Sequence, residues 1–238
     1  MRNFGNETMR EDWHRLGVVS VMLFHFLLFS YSQTNQQWRD SLNVLNKQIA
    51  KSAWSTDLHL RKAAVNMELH QWEYAATEYS QILEHEPQHL SARYYRAYAN
   101  SRLRRYDLAR RDYEDVLREA PQNLSVRLGL SNVLQQLGHK QEAIDQLNLA
   151  VEQHPDSAVT YASRAALERD MQQFDAALYD WEQAMERDGR NTDYVASCVD
   201  LYLTLGLRDE ARRALDKAVE RGIPRGMLRE WYRKCGKK

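Results

Sequence analysis

The segment His85-Glu86-Pro87-Gln88-His89 has the residue types and spacing of a zinc site. In the H-E-x-x-H motif, one helical face presents both histidines to the metal and the glutamate acts as a general base. That arrangement needs an uninterrupted helix, and Pro87 interrupts one because proline lacks an amide hydrogen and clashes with the preceding turn. We therefore expect the two histidines on either side of a turn, with no metal bound.

The remaining chemistry-bearing residues do not form a catalytic pattern. The nine glycines are scattered and build no phosphate-binding loop, and Cys198 and Cys235 are too far apart for a C-x-x-C pair. Nothing orders the serines and histidines into a nucleophile, a base and an orienting group. We predict a protein without catalytic residues, cofactor or metal, and therefore not an enzyme.

Residues 17–31, GVVSVMLFHFLLFSY, are a strongly apolar run without formal charge. Arginines precede the run, and the small-x-small triplet Ser30-Tyr31-Ser32 follows it. This pattern predicts a signal peptide at 1–32 and export of the mature chain to the periplasm or the medium. An uncleaved membrane anchor is the alternative, although the run is shorter than the roughly 20 residues that a spanning helix needs.

The chain is formally neutral, with 33 basic and 33 acidic residues. Neutrality argues against a general nucleic-acid binder, which would carry a basic surface. Two cysteines do not make a disulfide framework. Separate thiols at Cys198 and Cys235 are favoured over a single bridge between them.

Proline and alanine recur at intervals of 34 residues. The prolines are Pro87, Pro121 and Pro155, and the alanines are Ala75, Ala109, Ala143, Ala177 and Ala211. A fixed period of this size is typical of a repeat solenoid. With Pro87 at position 32, five units follow without gaps: 56–89, 90–123, 124–157, 158–191 and 192–225.

Each unit is predicted to contain two amphipathic helices. Apolar residues at positions 20, 24 and 27 share one helical face, and those at positions 3, 10 and 14 share another. Gly138 and Gly206, at position 15, suit a left-handed turn between the two helices. We expect the prolines to end the second helices. Side chains near the start of each unit are expected to cap the first helices: Thr56, Ser91, Ser125, Ser157 and Thr192.

The combination of small, aromatic and proline positions, as in Ala75-Tyr79-Pro87, resembles the tetratricopeptide repeat family. The resemblance covers 56–225, with Gly189 replacing proline in unit four and Pro224 displaced by one place in unit five. It implies an all-α, right-handed α-solenoid whose first helices line a concave groove. Carried onto this chain, the groove residues are Leu60, Met67, Tyr94, Tyr98, Ser101, Arg102, Leu128, Asn132, Gln135 and Arg169.

A basic residue at position 7 accompanies an acidic residue at position 23 in three units. The pairs are Lys62 with Glu78, Arg96 with Asp112, and Arg164 with Asp180. In units three and five both positions are uncharged. We infer that each pair forms a structural ion pair between the two helices of its unit.

The repeats are predicted to be covered at both ends. Residues 33–55 contain the apolar stripe Trp38, Leu42, Leu45 and Ile49, which predicts a half-repeat capping helix. Residues 226–238 form the predicted C-terminal cap and a basic tail. Solenoids need such polar-faced caps to remain soluble.

From these observations we expect an exported scaffold that binds a peptide or helix of another protein in its groove. That step rests on analogy with the repeat family. Two alternatives remain open: a structural subunit of a cell-envelope assembly that uses its edges and caps, or a membrane-anchored scaffold with an uncleaved N-terminus.

Overall fold

The computed structural model describes residues 35–236. The signal peptide predicted at 1–32 lies outside the described residues, as do the last two residues of the basic tail. The chain divides into two compact units, the first ending at Ala92 and the second beginning at Arg93.

All regular structure within residues 35–236 is helical, which confirms the predicted all-α class. In the first unit, α1 spans 35–49, α2 Thr56–Glu68 and α3 Trp72–His85. The boundary between the units falls within α4, Leu90–Arg102. The second unit continues with α5 Tyr106–Glu119, α6 Leu124–Gln136, α7 Lys140–Gln153, α8 Ala158–Asp170, α9 Phe174–Arg187, α10 Thr192–Thr204 and α11 Arg208–Glu220. A 3-10 turn at Arg225–Leu228 leads into α12, Arg229–Gly236.

The helices repeat with the period of the sequence. First helices begin at Thr56, Leu90, Leu124, Ala158 and Thr192, and second helices begin at Trp72, Tyr106, Lys140, Phe174 and Arg208. In the second unit α6 packs on α7, α8 on α9, and α10 on α11, and each hairpin also packs on its neighbours in the chain. These contacts confirm the predicted α-solenoid of helix-turn-helix repeats.

The alanine at position 20 lies in the packed interior of every hairpin. All five alanines are fully buried, at 0% exposure. In unit three, Ser131 Oγ on α6 donates a hydrogen bond of 3.2 Å to the Ala143 carbonyl on α7. Helix surfaces that approach this closely leave no room for a larger side chain.

A left-handed residue stands at position 15 in every unit, glycine or not. Gly138 and Gly206 have φ of 81° and 77°. The other three units place His70, Arg104 and Gln172 there, with φ between 55° and 62°. Since this conformation costs roughly 1–2 kcal/mol for residues with a Cβ, the hairpin turn imposes the geometry regardless of the local sequence.

The expected first-helix caps were wrong by one or two residues, except at Ser157. The residues that precede the first helices are Ser55, His89, Asn123, Ser157 and Asn191. Four of these side chains accept a bond from a first-turn amide, whereas Ser157 makes no such bond. The cap must precede the first helical residue with an extended backbone, whereas Thr56, Ser91, Ser125 and Thr192 already lie inside their helices.

The second helices of units four and five end without a proline at position 32. α9 ends at Arg187, in register with the earlier second helices, although Gly189 stands in the place of proline. α11 ends one position earlier, at Glu220, and is followed by Gly222 with φ of 98°. A left-handed glycine therefore terminates the last repeat.

Helical segments flank the repeats at both ends of the described chain. In α1, Leu45 is buried, while Trp38, Leu42 and Ile49 are half-buried. After α11, Ile223 and Leu228 are buried and join the core formed by α8 to α11.

Candidate interaction surface

The structure brings together the three charged pairs inferred from positions 7 and 23. Lys62 Nζ lies 2.6 Å from Glu78 Oε1. Arg96 binds Asp112 through two hydrogen bonds of 2.8 and 2.7 Å, and Arg164 binds Asp180 through two of 2.6 and 2.9 Å. The three carboxylates are buried, at 1–6% exposure. Paired bonds between a guanidinium and a carboxylate are among the strongest in proteins.

Hydrogen bonding between these partners favours their charged forms. The hydrogen bonding of Arg96 to the Asp112 carboxylate raises the pKa of Arg96, although burial opposes it. The hydrogen bonding of Arg164 to Asp180 acts in the same way on the pKa of Arg164. The pairs tie the first helix of a hairpin to the second and have a structural role.

A second basic position contributes to the same contacts and was not predicted from the sequence. Position 4 holds His59, Arg93 and Arg127 in the first three units. His59 Nδ1 lies 2.7 Å from Glu78 Oε2, and Arg127 donates a bond of 2.7 Å to Gln146 Oε1. The recurrence of basic residues every 34 residues could have indicated this position from the sequence.

Unit three therefore does not lack a polar contact between its helices. Leu130 and Gln146 replace the charged pair, but Arg127 engages Gln146 and also the Pro121 carbonyl. Burial lowers the pKa of Arg127. In unit three, Arg127 at position 4 therefore donates the hydrogen bond that Leu130 at position 7 cannot donate.

Glu168 is a buried acidic residue beside the Arg164–Asp180 pair of unit four. It is 8% exposed, its Oε2 atom has no hydrogen-bond partner, and Arg164 Nε is 3.9 Å away. Burial, followed by the charge of Asp180, raises the pKa of Glu168 to about 7. Asp180 already takes both bonds from Arg164, so Glu168 is a buried acid that titrates near neutrality.

The residues expected to line the groove are distributed over both compact units. In the first unit, Leu60 and Met67 are half-buried on α2. In the second unit, four are exposed and four are half-buried. The exposed ones are Tyr98, Arg102, Asn132 and Arg169, and the half-buried ones are Tyr94, Ser101, Leu128 and Gln135.

The two tyrosines of α4 differ in their surroundings. Tyr94 packs against the core, with its ring centroid 6.0 Å from that of Tyr113. Burial raises the pKa of Tyr94. Tyr98 is 36% exposed. Tyr94 therefore supports its own hairpin, and Tyr98 is the accessible aromatic residue of the expected groove.

The H-E-x-x-H histidines have structural surroundings. α3 ends at His85, whose ring stacks on Trp54 with centroids 3.7 Å apart. His89 Nδ1 accepts a bond of 3.1 Å from the Ala92 amide and so caps α4. Within residues 35–236, no three His, Cys, Asp or Glu side chains are grouped to hold a metal ion.

Both cysteines are free thiols. Cys198 is buried in the core, and Cys235 is half-buried near the C-terminus. Burial raises the pKa of the Cys198 thiol to about 12. A thiol with such a pKa is a poor nucleophile at neutral pH.

No helix within residues 35–236 is both long enough and apolar enough to cross a bilayer.

Several solved structures are similar to this chain. MamA from Desulfovibrio magneticus RS-1 (residues 41 to its end) is 17% identical, with a TM-score of 0.62, covering 69% of this chain and 93% of its own. TTC0263 of Thermus thermophilus is 22% identical, with a TM-score of 0.57 and coverage of 76% and 98%. YrrB, a repeat protein described as having an unusual peptide-binding site, is 22% identical, with a TM-score of 0.56 and coverage of 74% and 91%. At these identities the similarity concerns the fold.

Comparison with family models supports the same repeat fold. No curated protein sequence matches the chain. One tetratricopeptide repeat model matches residues 60–123 and a second matches residues 102–167. With the 34-residue helical hairpins of the structure, these matches show that residues 60–167 consist of tetratricopeptide repeats.

Proposed function

We propose that this protein is an exported, non-enzymatic scaffold that binds an extended peptide or a helix of another protein along the first helices of its repeats. The observation that carries the proposal is the exposure of Tyr98 on α4, Asn132 on α6 and Arg169 on α8. These helices already bury their other faces in the hairpins.

The chemistry of this surface suits a protein segment. Tyrosine and arginine are enriched among residues that dominate binding energy at interfaces. Asn132 offers an amide that both donates and accepts hydrogen bonds, which matches the backbone of an extended peptide. Half-buried Leu128 adds an apolar contact. The mixture favours a partner that is neither strongly acidic nor strongly basic.

Site-specific photo-crosslinking in cells tests the surface. A photoreactive residue placed at Tyr98 or Asn132 is expected to capture the partner. The matched control is Tyr179, which is 60% exposed on the second helix α9. Equal capture from Tyr98 and Tyr179 would rule out a specific first-helix surface.

A structural subunit of an envelope assembly is the second candidate. It is favoured by exposed apolar side chains in the two capping segments, Val44 at 54% and Met227 at 60% exposure. Crosslinks from Val44 and Met227, with none from Tyr98, would support that candidate over the groove-binding scaffold.

Export is a separate part of the proposal. It rests on the apolar run at 17–31 and on the small residues that follow it. The mass of the mature N-terminus is the test. Cleavage near Ser32 is expected, whereas a mature protein that retains Met1 would favour the membrane-anchored alternative.

A further inference from the structure

Positive charge is concentrated at the C-terminal end of a chain that is neutral as a whole. Residues 221–238 contain seven basic residues and one acidic residue, a net charge of +6. The preceding 220 residues hold 26 of the 33 basic and 32 of the 33 acidic residues, and so carry a net charge of −6. An asymmetry of this kind is typical of chains whose basic end meets a nucleic acid or a membrane surface.

The helices of the C-terminal segment account for only some of its cations. A helix C-terminus favours positive charge, which explains Arg221 directly after α11 and Arg233 and Lys234 in the last turn of α12. Arg225 begins the 3-10 turn, and Arg229 is the first residue of α12, where the helix dipole disfavours a cation. The helix dipole therefore gives no structural reason for Arg225 and Arg229.

The guanidinium groups of Arg225 and Arg229 are exposed and keep their charge unpaired. That of Arg225 lies over the ring of Tyr232, 4.5 Å from the centroid. Glu230, the one acidic residue of the segment, lies 3.9 Å from Arg233 instead. Within residues 35–236, neither Arg225 nor Arg229 forms an ion pair with a carboxylate.

The helices on which α12 packs do not cancel this charge. α12 contacts α10 and α11. α11 is neutral, with four basic and four acidic residues, and its Asp216 accepts a bond of 2.6 Å from the Tyr232 hydroxyl. α10 carries two carboxylates, of which that of Asp200 lies 3.3 Å from Lys234 Nζ. With all of these counted, residues 192–238 contain eleven basic and seven acidic residues and keep a net charge of +4.

An exposed apolar side chain lies between the two unpaired arginines. Met227 is 60% exposed in the 3-10 turn. The other apolar side chains of this end, Trp231, Tyr232 and Cys235, pack against the core formed by α8 to α11. An apolar tip flanked by cations suits the boundary of a bilayer, where the tip enters the headgroup region and the cations stay among the phosphates.

We propose that Arg225, Met227 and Arg229 dock the protein on a bilayer surface that contains anionic phospholipids. The guanidinium groups match the geometry of phosphate oxygens, and Met227 enters the interface between them. A single-stranded nucleic acid fits less well, because such ligands stack on exposed aromatic rings and the aromatic rings of this end pack inward. The contact goes beyond the proposed first-helix surface and does not depend on it.

Vesicle binding of the full chain tests the proposal. One vesicle consists of phosphatidylcholine, and the other of phosphatidylcholine and phosphatidylglycerol in equal parts. The apolar run at 17–31 can bind to either vesicle, so the difference between the two affinities reports the contribution of charge. We expect binding to the anionic vesicle to be at least about tenfold tighter at low salt, and the difference to vanish at ~1 M salt. Equal affinities at low salt would overturn the proposal.

Variants locate the contact on this surface. Arg225→Gln combined with Arg229→Gln should weaken binding to the anionic vesicle about 25-fold, since each arginine near the surface contributes about fivefold. The matched control, Arg104→Gln combined with Arg111→Gln, removes two exposed arginines from another part of the chain and should change the affinity less than about twofold. Equal losses for the two double variants would overturn the assigned surface.

The single variant Arg229→Gln separates lost binding from lost structure. It keeps the contact of Arg225 with Tyr232 and removes a side chain that has no ion pair, so the midpoint of thermal unfolding should not change. Binding to the anionic vesicle should still weaken about fivefold. Full binding by this variant would contradict the role of Arg229.

Met227→Ser distinguishes a lipid surface from another polyanion. The variant should bind the anionic vesicle about fivefold more weakly, because it loses apolar burial in the interface. Its binding to a single-stranded oligonucleotide should equal that of the unmodified protein. Tighter binding of the oligonucleotide than of the vesicle, or full vesicle binding by Met227→Ser, would overturn the assignment to a lipid surface.

Discussion

At the scale of single residues, the buried carboxylates at position 23 of units one, two and four depend most strongly on a hydrogen-bond partner. Glu78, Asp112 and Asp180 are almost completely excluded from water. A buried charge without a partner is strongly destabilising. The bonds from position 7, and from position 4 in the first unit, make burial of these groups possible.

Removing one partner should therefore cost more than removing both. We expect Arg96→Leu to lower the free energy of unfolding by ~3 kcal/mol, because Asp112 loses its two bonds. Arg96→Leu combined with Asp112→Gln, the residues of unit three, should cost about 1 kcal/mol. Urea denaturation of the two single variants and the double variant measures the coupling. Additive losses would mean that the pair contributes nothing beyond its separate side chains.

Glu168 should make stability fall as the pH rises. Its folded-state pKa of about 7 lies above the ordinary value of 4.5. Between these values the folded protein binds more protons than the unfolded chain, so stability decreases from acidic to neutral pH. The decrease continues until the pH exceeds the folded-state pKa.

Glu168→Gln removes this titration. We expect the variant to be about 2 kcal/mol more stable than the unmodified protein at pH 8.5 and nearly equal to it at pH 4.5. Denaturation at the two pH values measures the difference, with the exposed Glu152→Gln as the matched control. A pH-independent effect of Glu168→Gln would contradict the assigned titration.

At the scale of elements, the turn within each hairpin has the same geometry whatever its sequence. Position 15 is left-handed with glycine, histidine, arginine or glutamine. The tertiary contacts of the two helices therefore hold the turn, and glycine only lowers its conformational cost. Three of the five turns carry this cost.

Reciprocal substitutions at position 15 test this cost. Gln172→Gly should stabilise the protein by about 1 kcal/mol, and Gly138→Ala should destabilise it by a similar amount. A Cβ atom at Gly138 would have open space around it, so its cost would be conformational and not steric. Changes in the midpoint of thermal unfolding measure both effects. Destabilisation by Gln172→Gly would show that its side chain has another structural role.

Close approach between helices is a second property of the elements. A Cβ atom at Gly129 on α6 would lie 2.7 Å from Tyr113 Cζ on α5. Tyr113 is 2% exposed and has little freedom to move. Here glycine is required by packing, in contrast to Gly138.

At the scale of the whole molecule, stability is built from contacts between neighbouring hairpins. In the second unit, α5 packs on α6, α7 on α8, and α9 on α10. The C-terminal segment closes this series, since Leu228 is fully buried against the last hairpin. In such a chain, the loss of a cap acts mainly on the adjacent repeat.

Truncation after Pro224 should therefore have a graded effect. Backbone amides of α10 and α11 should exchange with solvent at least about tenfold faster, while those of α6 and α7 keep their protection. Hydrogen exchange with mass spectrometry, read helix by helix, measures the gradient. Uniform loss of protection from α5 to α11 would show that the second unit unfolds as one cooperative body.

Local and periodic features of this protein were readable from the sequence. The 34-residue period, the two helices per unit and the small residue at position 20 follow from spacings within a single hairpin. The pairing of Arg96 with Asp112 was also inferred, because both charges disappear together in other units. Comparison of equivalent positions within one chain can predict which residues are in contact only when the chain contains repeated units.

The tertiary structure decided what depends on distance between helices. Ser55 and its equivalents precede the first helices because the backbone conformation, and not the residue type, sets the first helical residue. Burial raised the pKa of Glu168, and packing separated Tyr94 from accessible Tyr98. The sequence by itself determined the repeating hairpin, because its period is local; the tertiary structure determined which side chains are buried, paired or accessible, because those properties depend on neighbours distant in the chain.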